Sequence, residues 1–207
     1  MLSYLFSNPV LFFVYLIALL VAIAVHEFSH ALAADYLGDP TPRLAGRLKL
    51  NPFVHIDGMG LLFLLFFGFG WGKPVSFDPF NLKNPRRDAA VISLAGPISN
   101  FILAIVLSLA LSLTSAHFLL APMISLNIIL GVFNLLPIHP LDGFKIVGGL
   151  LSDEKAREWY QLERYGIIFL LMLIFPFGSS SMLDLIIRPV VSLILKFLIP
   201  SPAAGII

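Results

Sequence analysis

From Val10 to Leu37 the chain carries neither lysine nor arginine, and almost every side chain is apolar. No other feature limits the possible folds so tightly. At 1.5 Å per residue, a helix over this run exceeds the roughly 30 Å hydrocarbon core of a bilayer. A water-soluble globule could bury such a helix only under ample polar surface. Charged residues make up just 12% of the 207 positions, about half the roughly 25% usual for soluble domains. The chain reads as an integral membrane protein.

Further apolar runs extend from about Ala89 to Ser115, Phe118 to Leu136, Tyr165 to Phe177 and Met182 to Ile199. The expectation is an all-α polytopic membrane protein with about five transmembrane helices, built as a single domain over residues 1–207. Only a few residues separate the second and third runs, so those helices should be antiparallel neighbours. The fourth begins as early as Trp159 if the polar helical stretch Ser152 to Arg164 continues into it. In the last, Asp184 and Arg188 are spaced to pair on one helix face, and Pro189 is placed to kink it.

The stretch between the first two spans differs in character. Arg47-Leu48-Lys49-Leu50-Asn51 and Val75-Ser76-Phe77-Asp78 alternate polar and apolar residues, as short strands do. Met59 to Gly70 is apolar but, at about 12 residues, too short to span. A re-entrant or short β-hairpin excursion over Arg43 to Asp78 fits this pattern. The first nine residues lack the positive charge of a removable signal peptide.

Lysine and arginine accumulate on the cytoplasmic side of membrane proteins. Here they cluster between spans one and two (Arg43, Arg47, Lys49, Lys73, Lys83, Arg86, Arg87) and between spans three and four (Lys145, Lys155, Arg157, Arg164). The N-terminus and the turns near Ser115 and Ser179 hold none. One topology accounts for this, with the N-terminus outside and both charged stretches cytoplasmic. No dense basic tract points to nucleic acid. The absence of cysteine excludes disulfides and thiolate metal sites, so any metal must use His, Asp or Glu. Nothing in the sequence specifies an oligomeric state.

Within the first span stands His26-Glu27-Phe28-Ser29-His30. Residues four apart share a helix face, so both imidazoles can reach one ion, and Glu27 is close enough to handle the proton of a water there. With five His in the chain, such a pattern arises by chance in roughly 0.002 sequences of this length and composition. The alternative is polar residues satisfied by helix packing. An acidic residue at mid-membrane costs about 2.5–3.5 kcal/mol on insertion scales, which favours a strong shared partner such as a divalent cation. Catalytic zinc takes three protein ligands and keeps one position open. Asp142, just past the third span and on the same membrane side as the histidines in this topology, is the best third candidate. A plain Asp-Gly turn with Gly143 is its competing role.

These residues resemble the site-2 protease family of intramembrane zinc metalloproteases. The resemblance rests on His26–His30, on Ser93-Leu94-Ala95-Gly96-Pro97-Ile98-Ser99-Asn100, and on Asn134 to Gly143, in the family's order and spacing. Asn51-Pro52 to Gly58 and Gly70-Trp71-Gly72-Lys73-Pro74-Val75 are similar to segments of its compact bacterial and archaeal branch, which lacks a PDZ domain. The resemblance implies one zinc ion per chain held by His26, His30 and Asp142, Glu27 as general base, and Asn134 as a group stabilising the tetrahedral intermediate. It implies transmembrane proteins as substrates, a cell-membrane location, and an active site toward the cytoplasm. His55 and His139 are left as structural residues, supporting groups, substrate contacts or extra ligands, and Asp57 as a turn residue with Gly58 or a similar group. The unwound substrate would need holding, for which an edge strand at Arg47–Asn51 is the expected device. A transporter and a catalytically inactive helix-binding scaffold are the competing classes. Transporters usually show two similar halves with paired broken helices, which are not evident here, and a dead scaffold would have lost Glu27 or a ligand.

Overall fold

The computed structural model describes residues 2–67, 70–114, 116–177 and 180–199. The turn positions Ser115 and Ser179 lie outside the described residues. Helix α1 covers Leu2–Ser7 and α2 covers Pro9–Tyr36. Asn8 starts α2 by accepting a hydrogen bond from Leu11 N through its side chain, with Pro9 in the first turn, where a missing N–H costs nothing. The chain leaves α2 through Gly38, whose φ of +107° is strained for any residue with a Cβ. Short α3 (Thr41–Leu44) and a 3₁₀ turn at Pro52–Val54 follow, then α4 (Gly58–Phe67) and a second 3₁₀ turn at Pro79–Asn81.

Helices α5 (Pro85–Leu113) and α6 (His117–Asn134) form an antiparallel pair. Helix α5 is the hub of the molecule, packing against α2, α6 and also α7 (Asp142–Leu150). Helices α8 (Asp153–Gln161), α9 (Glu163–Ile174) and α10 (Met182–Leu198) complete the chain. Two-residue strands β1 (Pro176–Phe177) and β2 (Ser180–Ser181) pair antiparallel ahead of α10. An apolar core joins Ala104 and Leu111 of α5, Ile124 and Ile128 of α6, and Ile187 and Val191 of α10. Large apolar side chains such as Phe13, Ile17, Ile102, Val106 and Leu109 point outward on α2 and α5, as suits helices surrounded by hydrocarbon.

Among the described residues, three helices are long and apolar enough to cross a membrane: α2, α5 and α6. The expected five spans are thus reduced to three. The fourth run is split at Leu162 from charged α8 and stopped by Phe175-Pro176, leaving α9 with 12 residues, or about 18 Å of helix. Helix α10 has 17 residues, about 26 Å of helix. Its Asp184 is engaged by Ser181 in a capping box, accepting from Ser181 N and Oγ.

The expected β-hairpin between the first two spans is also corrected. Only an isolated bridge, Ile56 with Gly72, occurs there among the described residues. Arg47–Asn51 is irregular, not an edge strand. Its polar groups turn inward: Arg47 donates to the Val54 carbonyl, and the Lys49 carbonyl accepts from His55 Nε2 at 2.8 Å. Met59–Phe67 lies within α4. Alternation alone does not make a strand when no partner strand lies alongside.

Candidate metal centre

The two imidazoles of α2 face α5 because every fourth residue of a helix returns to the same side. His26 and His30 are buried there, with rings edge-on at 4.6 Å between centroids. Gly96 of α5 makes room for them. A Cβ at that position would stand 2.4 Å from His30 Nε2 and 2.7 Å from His26 Cε1. The third group comes from beyond the C-terminal end of α6. Helix α6 stops at Asn134, the chain turns through Pro137 and Pro140, and α7 begins with Asp142. Gly143 allows that turn to close tightly, since a Cβ there would lie 2.3 Å from the carbonyl oxygens of Leu135 and Leu136.

The result is a triangle of donor atoms. His26 Nε2 and His30 Nε2 are 3.0 Å apart, and Asp142 Oδ2 is 3.1 Å from the first and 3.2 Å from the second. Hydrogen bonding on the far side of each ring determines what this triangle is. His30 Nδ1 donates to the Ile92 carbonyl at 2.7 Å. His26 Nδ1 donates to Asn100 Oδ1 at 2.6 Å. Asn100 must present its oxygen there, because its nitrogen donates to the Ala22 carbonyl at 3.0 Å and to Asn127 Oδ1 at 2.8 Å. Each neutral ring therefore carries its proton on Nδ1 and a bare lone pair on Nε2.

Two lone pairs and a carboxylate oxygen facing one another at about 3 Å repel unless a proton or a metal cation lies between them. Zinc bonded to nitrogen and oxygen at about 2.0–2.1 Å in a tetrahedron sets its ligands roughly 3.3 Å apart. The triangle matches one face of such a tetrahedron to within a few tenths of an ångström. The residues present thus fit zinc in donor type, spacing and protonation.

Glu27 and Asn134 line the same cavity of about 400 Å³ as these three residues, together with Trp71. The Glu27 carboxylate accepts a hydrogen bond from Val75 N at 2.9 Å. Asn134 donates one amide hydrogen back to the Leu130 carbonyl at 3.0 Å, and no partner for its second is found among the described residues. His55 and His139 stand apart from the donor triangle. His55 is fully buried and uses Nε2 on the Lys49 carbonyl. His139 faces Glu163 at 3.7 Å and stacks edge-on against Phe144. Asp57 accepts from Gly60 N at 2.8 Å, holding the start of α4.

Sequence reasoning did not single out Asn127, Val75 or the individual roles of Gly96 and Asn100. A signal was available for two of them, since asparagines inside otherwise apolar spans are costly and mark a polar partner.

The sequence profile described as Peptidase family M50 matches residues 14–117 and 112–175. YwhC of Bacillus subtilis (strain 168), named as a zinc metalloprotease, is 37% identical over 177 residues, which covers 79% of this chain and 81% of that protein. Rip2 of Mycobacterium tuberculosis (strain ATCC 25618 / H37Rv), also named as a zinc metalloprotease, is 32% identical over 166 residues, covering 74% of this chain and 63% of its own length. Zinc metalloprotease MJ0392 of Methanocaldococcus jannaschii is 28% identical over 152 residues, covering 72% of this chain and 37% of its own. No solved structure matches the chain. Its apolar helices and its matches agree, and the chain belongs to peptidase family M50, the site-2 protease family, as a zinc metalloprotease of the membrane.

Proposed function

We propose that this protein is a multi-pass intramembrane protease that hydrolyses peptide bonds in or near the transmembrane segments of other membrane proteins, with residues 1–207 acting as one catalytic unit. His26, His30 and Asp142 hold the metal in this reading. The observation that carries it is the approach of the two Nε2 atoms to 3.0 Å with both Nδ1 atoms already donating elsewhere.

Zinc bound there supplies Lewis acidity, lowering the pKa of water toward about 7 and polarising the scissile carbonyl. The chain's own groups do the rest. Glu27 accepts the proton of the attacking water and delivers it to the leaving amine. Val75 N–H engages one oxygen of Glu27, so the carboxylate is aimed before substrate arrives. The second amide hydrogen of Asn134 donates to the oxyanion as it develops. A substrate helix hides its peptide bonds in internal hydrogen bonds, so it must unwind locally before a carbonyl can enter the cavity. The distribution of lysine and arginine supports an active site open to the cytoplasmic side.

Glu27→Gln tests the assignment. General acid–base groups contribute about 10²–10⁴-fold, so the variant should retain about one zinc per chain while cleavage of a single-span substrate falls by roughly three orders of magnitude. Cleavage at the wild-type rate would remove Glu27 from its role. Comparison of wild type with Glu27→Gln on a panel of single-span proteins, read by mass spectrometry of the products, identifies the bond cut.

A further inference from the structure

Gly96 and Asn100 lie four residues apart on one face of α5. The first gives the histidines room. The second sits with its amide in a fully buried polar chain that crosses three helices. Asn127 of α6, also fully buried, donates from Nδ2 to the Met123 carbonyl at 2.8 Å. Its Oδ1 must then face Asn100 and accept from Asn100 Nδ2. Asn100 Nδ2 has a second acceptor in the Ala22 carbonyl. With both hydrogens spent on acceptors, the only orientation left for Asn100 aims Oδ1 at His26 Nδ1.

We infer that Asn100, with Asn127 acting through it, is the positioning device that holds His26 in its Nδ1–H tautomer and keeps Nε2 free to bind metal. Hydrogen bonding runs in one direction along the chain, from His26 to Asn100, to Asn127, and on to the Met123 carbonyl. Reversal of the Asn100 amide would set its oxygen against two carbonyl-type acceptors in a site without bulk water, where an unpaired polar group is costly. It would also present an N–H to His26 Nδ1, which would push the ring proton onto Nε2 and remove a ligand. Burial of both asparagines in apolar spans, where packing alone would favour aliphatic residues, fits this role.

The inference rests on His26 being a metal ligand, and the experiment separates the two claims. Full-length chain purified in detergent is titrated with Zn2+ against a competing chelator, and its Co2+ form is followed by visible absorption. His26→Ala is the control for the ligand assignment and should lose the site. Removing a hydrogen-bonding partner of a metal ligand typically weakens binding by about 10–100-fold. Asn100→Leu should approach the upper end, about 100-fold, and Asn127→Leu the lower, about 10-fold, both with an altered Co2+ spectrum.

Asn100→Gln and Asn127→Gln each keep both the acceptor oxygen and the amide donor that the chain of hydrogen bonds requires. They should recover most of the affinity and the wild-type spectrum. If His26→Ala keeps its zinc, the ligand assignment fails and the positioning role with it. If His26→Ala loses zinc while both leucine variants keep wild-type affinity, the positioning role alone fails. Equal weakening by leucine and glutamine at both positions assigns the effect to packing and overturns the inference. Should the Asn100 variants not fold, the Asn127 pair decides.

Discussion

Helices α5 and α6 run through two regions built on opposite rules. In one, Ala104, Leu111, Ile124 and Ile128 meet Ile187 and Val191 of α10 in an entirely apolar core. In the other, Asn100 and Asn127 join His26, His30 and Asp142 in a network in which the orientation of each polar group determines the next. The apolar region needs volume filled. Several side chains of similar size would serve, because dispersion has little directionality. The polar region needs donors opposite acceptors, and one reversed amide changes the chemistry of a ring one helix away. The same pair of helices is therefore tolerant in one set of contacts and intolerant in the other, although Asn127 stands between Ile124 and Ile128 in the chain.

Gly96→Ala should produce the largest effect. It adds a single methyl group, but places it 2.4 Å from His30 Nε2. Loss of stoichiometric zinc and of proteolysis is expected, measured by metal analysis of folded protein. Normal zinc content would break the comparison, because it would show that the polar region repacks as freely as the apolar one.

Ile128→Ala should act less severely and in the other sense. It removes three carbons from a fully buried site. Large-to-small substitutions cost about 2–5 kcal/mol in soluble cores. In a bilayer the separated helices are already solvated by apolar lipid, so about 2 kcal/mol is expected, mostly from the cavity. Unfolding in detergent should shift while zinc content stays near one per chain. A loss of zinc with the fold intact would show that the two regions are coupled.

The smallest effect sharpens the comparison just outside the spans. Asp39 is fully buried at the end of the first span's exit turn. Burial alone would raise its pKa, but hydrogen bonds from the Thr41 hydroxyl, the Asn81 amide and the backbone N–H groups of Asp78 and Thr41 outweigh it and hold the value below the usual carboxylate range. Because the folded value lies below the unfolded one, the stabilisation is complete above roughly pH 5 and lost as pH falls through 4 toward the lowered value. Resistance of the joint between Gly38 and Asn81 to limited proteolysis should drop over that acid range. Asp39→Asn should flatten the dependence. An unchanged acid profile would show that this polar cluster, unlike the one at the metal centre, carries no directional constraint.

The His-Glu-x-x-His motif was readable because its geometry is local. A helix alone brings positions 26 and 30 onto one face, and no knowledge of packing is required. Asp142 was readable only as a candidate. Its competing role as a turn residue was lost when α6, two prolines and Gly143 delivered its carboxylate to the histidines. The hairpin was misjudged because alternation of side chains says nothing about a partner strand, and the polar groups of Arg47–Asn51 found acceptors and donors in the adjacent turn. The fourth span was overcounted because apolar composition does not report where Pro176 or the charged α8 cuts a helix short, and the last falls just short with 17 residues of helix.

By itself, the sequence determined the membrane class, the three long apolar helices and the pair of histidines, because each follows from hydrophobicity and from a periodicity acting within a few residues. Only the tertiary structure decided that Asp142 closes the triangle, that Gly96 must lack a side chain, and that Asn100 and Asn127 form a hydrogen-bonded chain to His26. Those facts depend on the register of α5 against α2 and α6. Register is set by the sum of many weak contacts along whole helices, so no single motif records it.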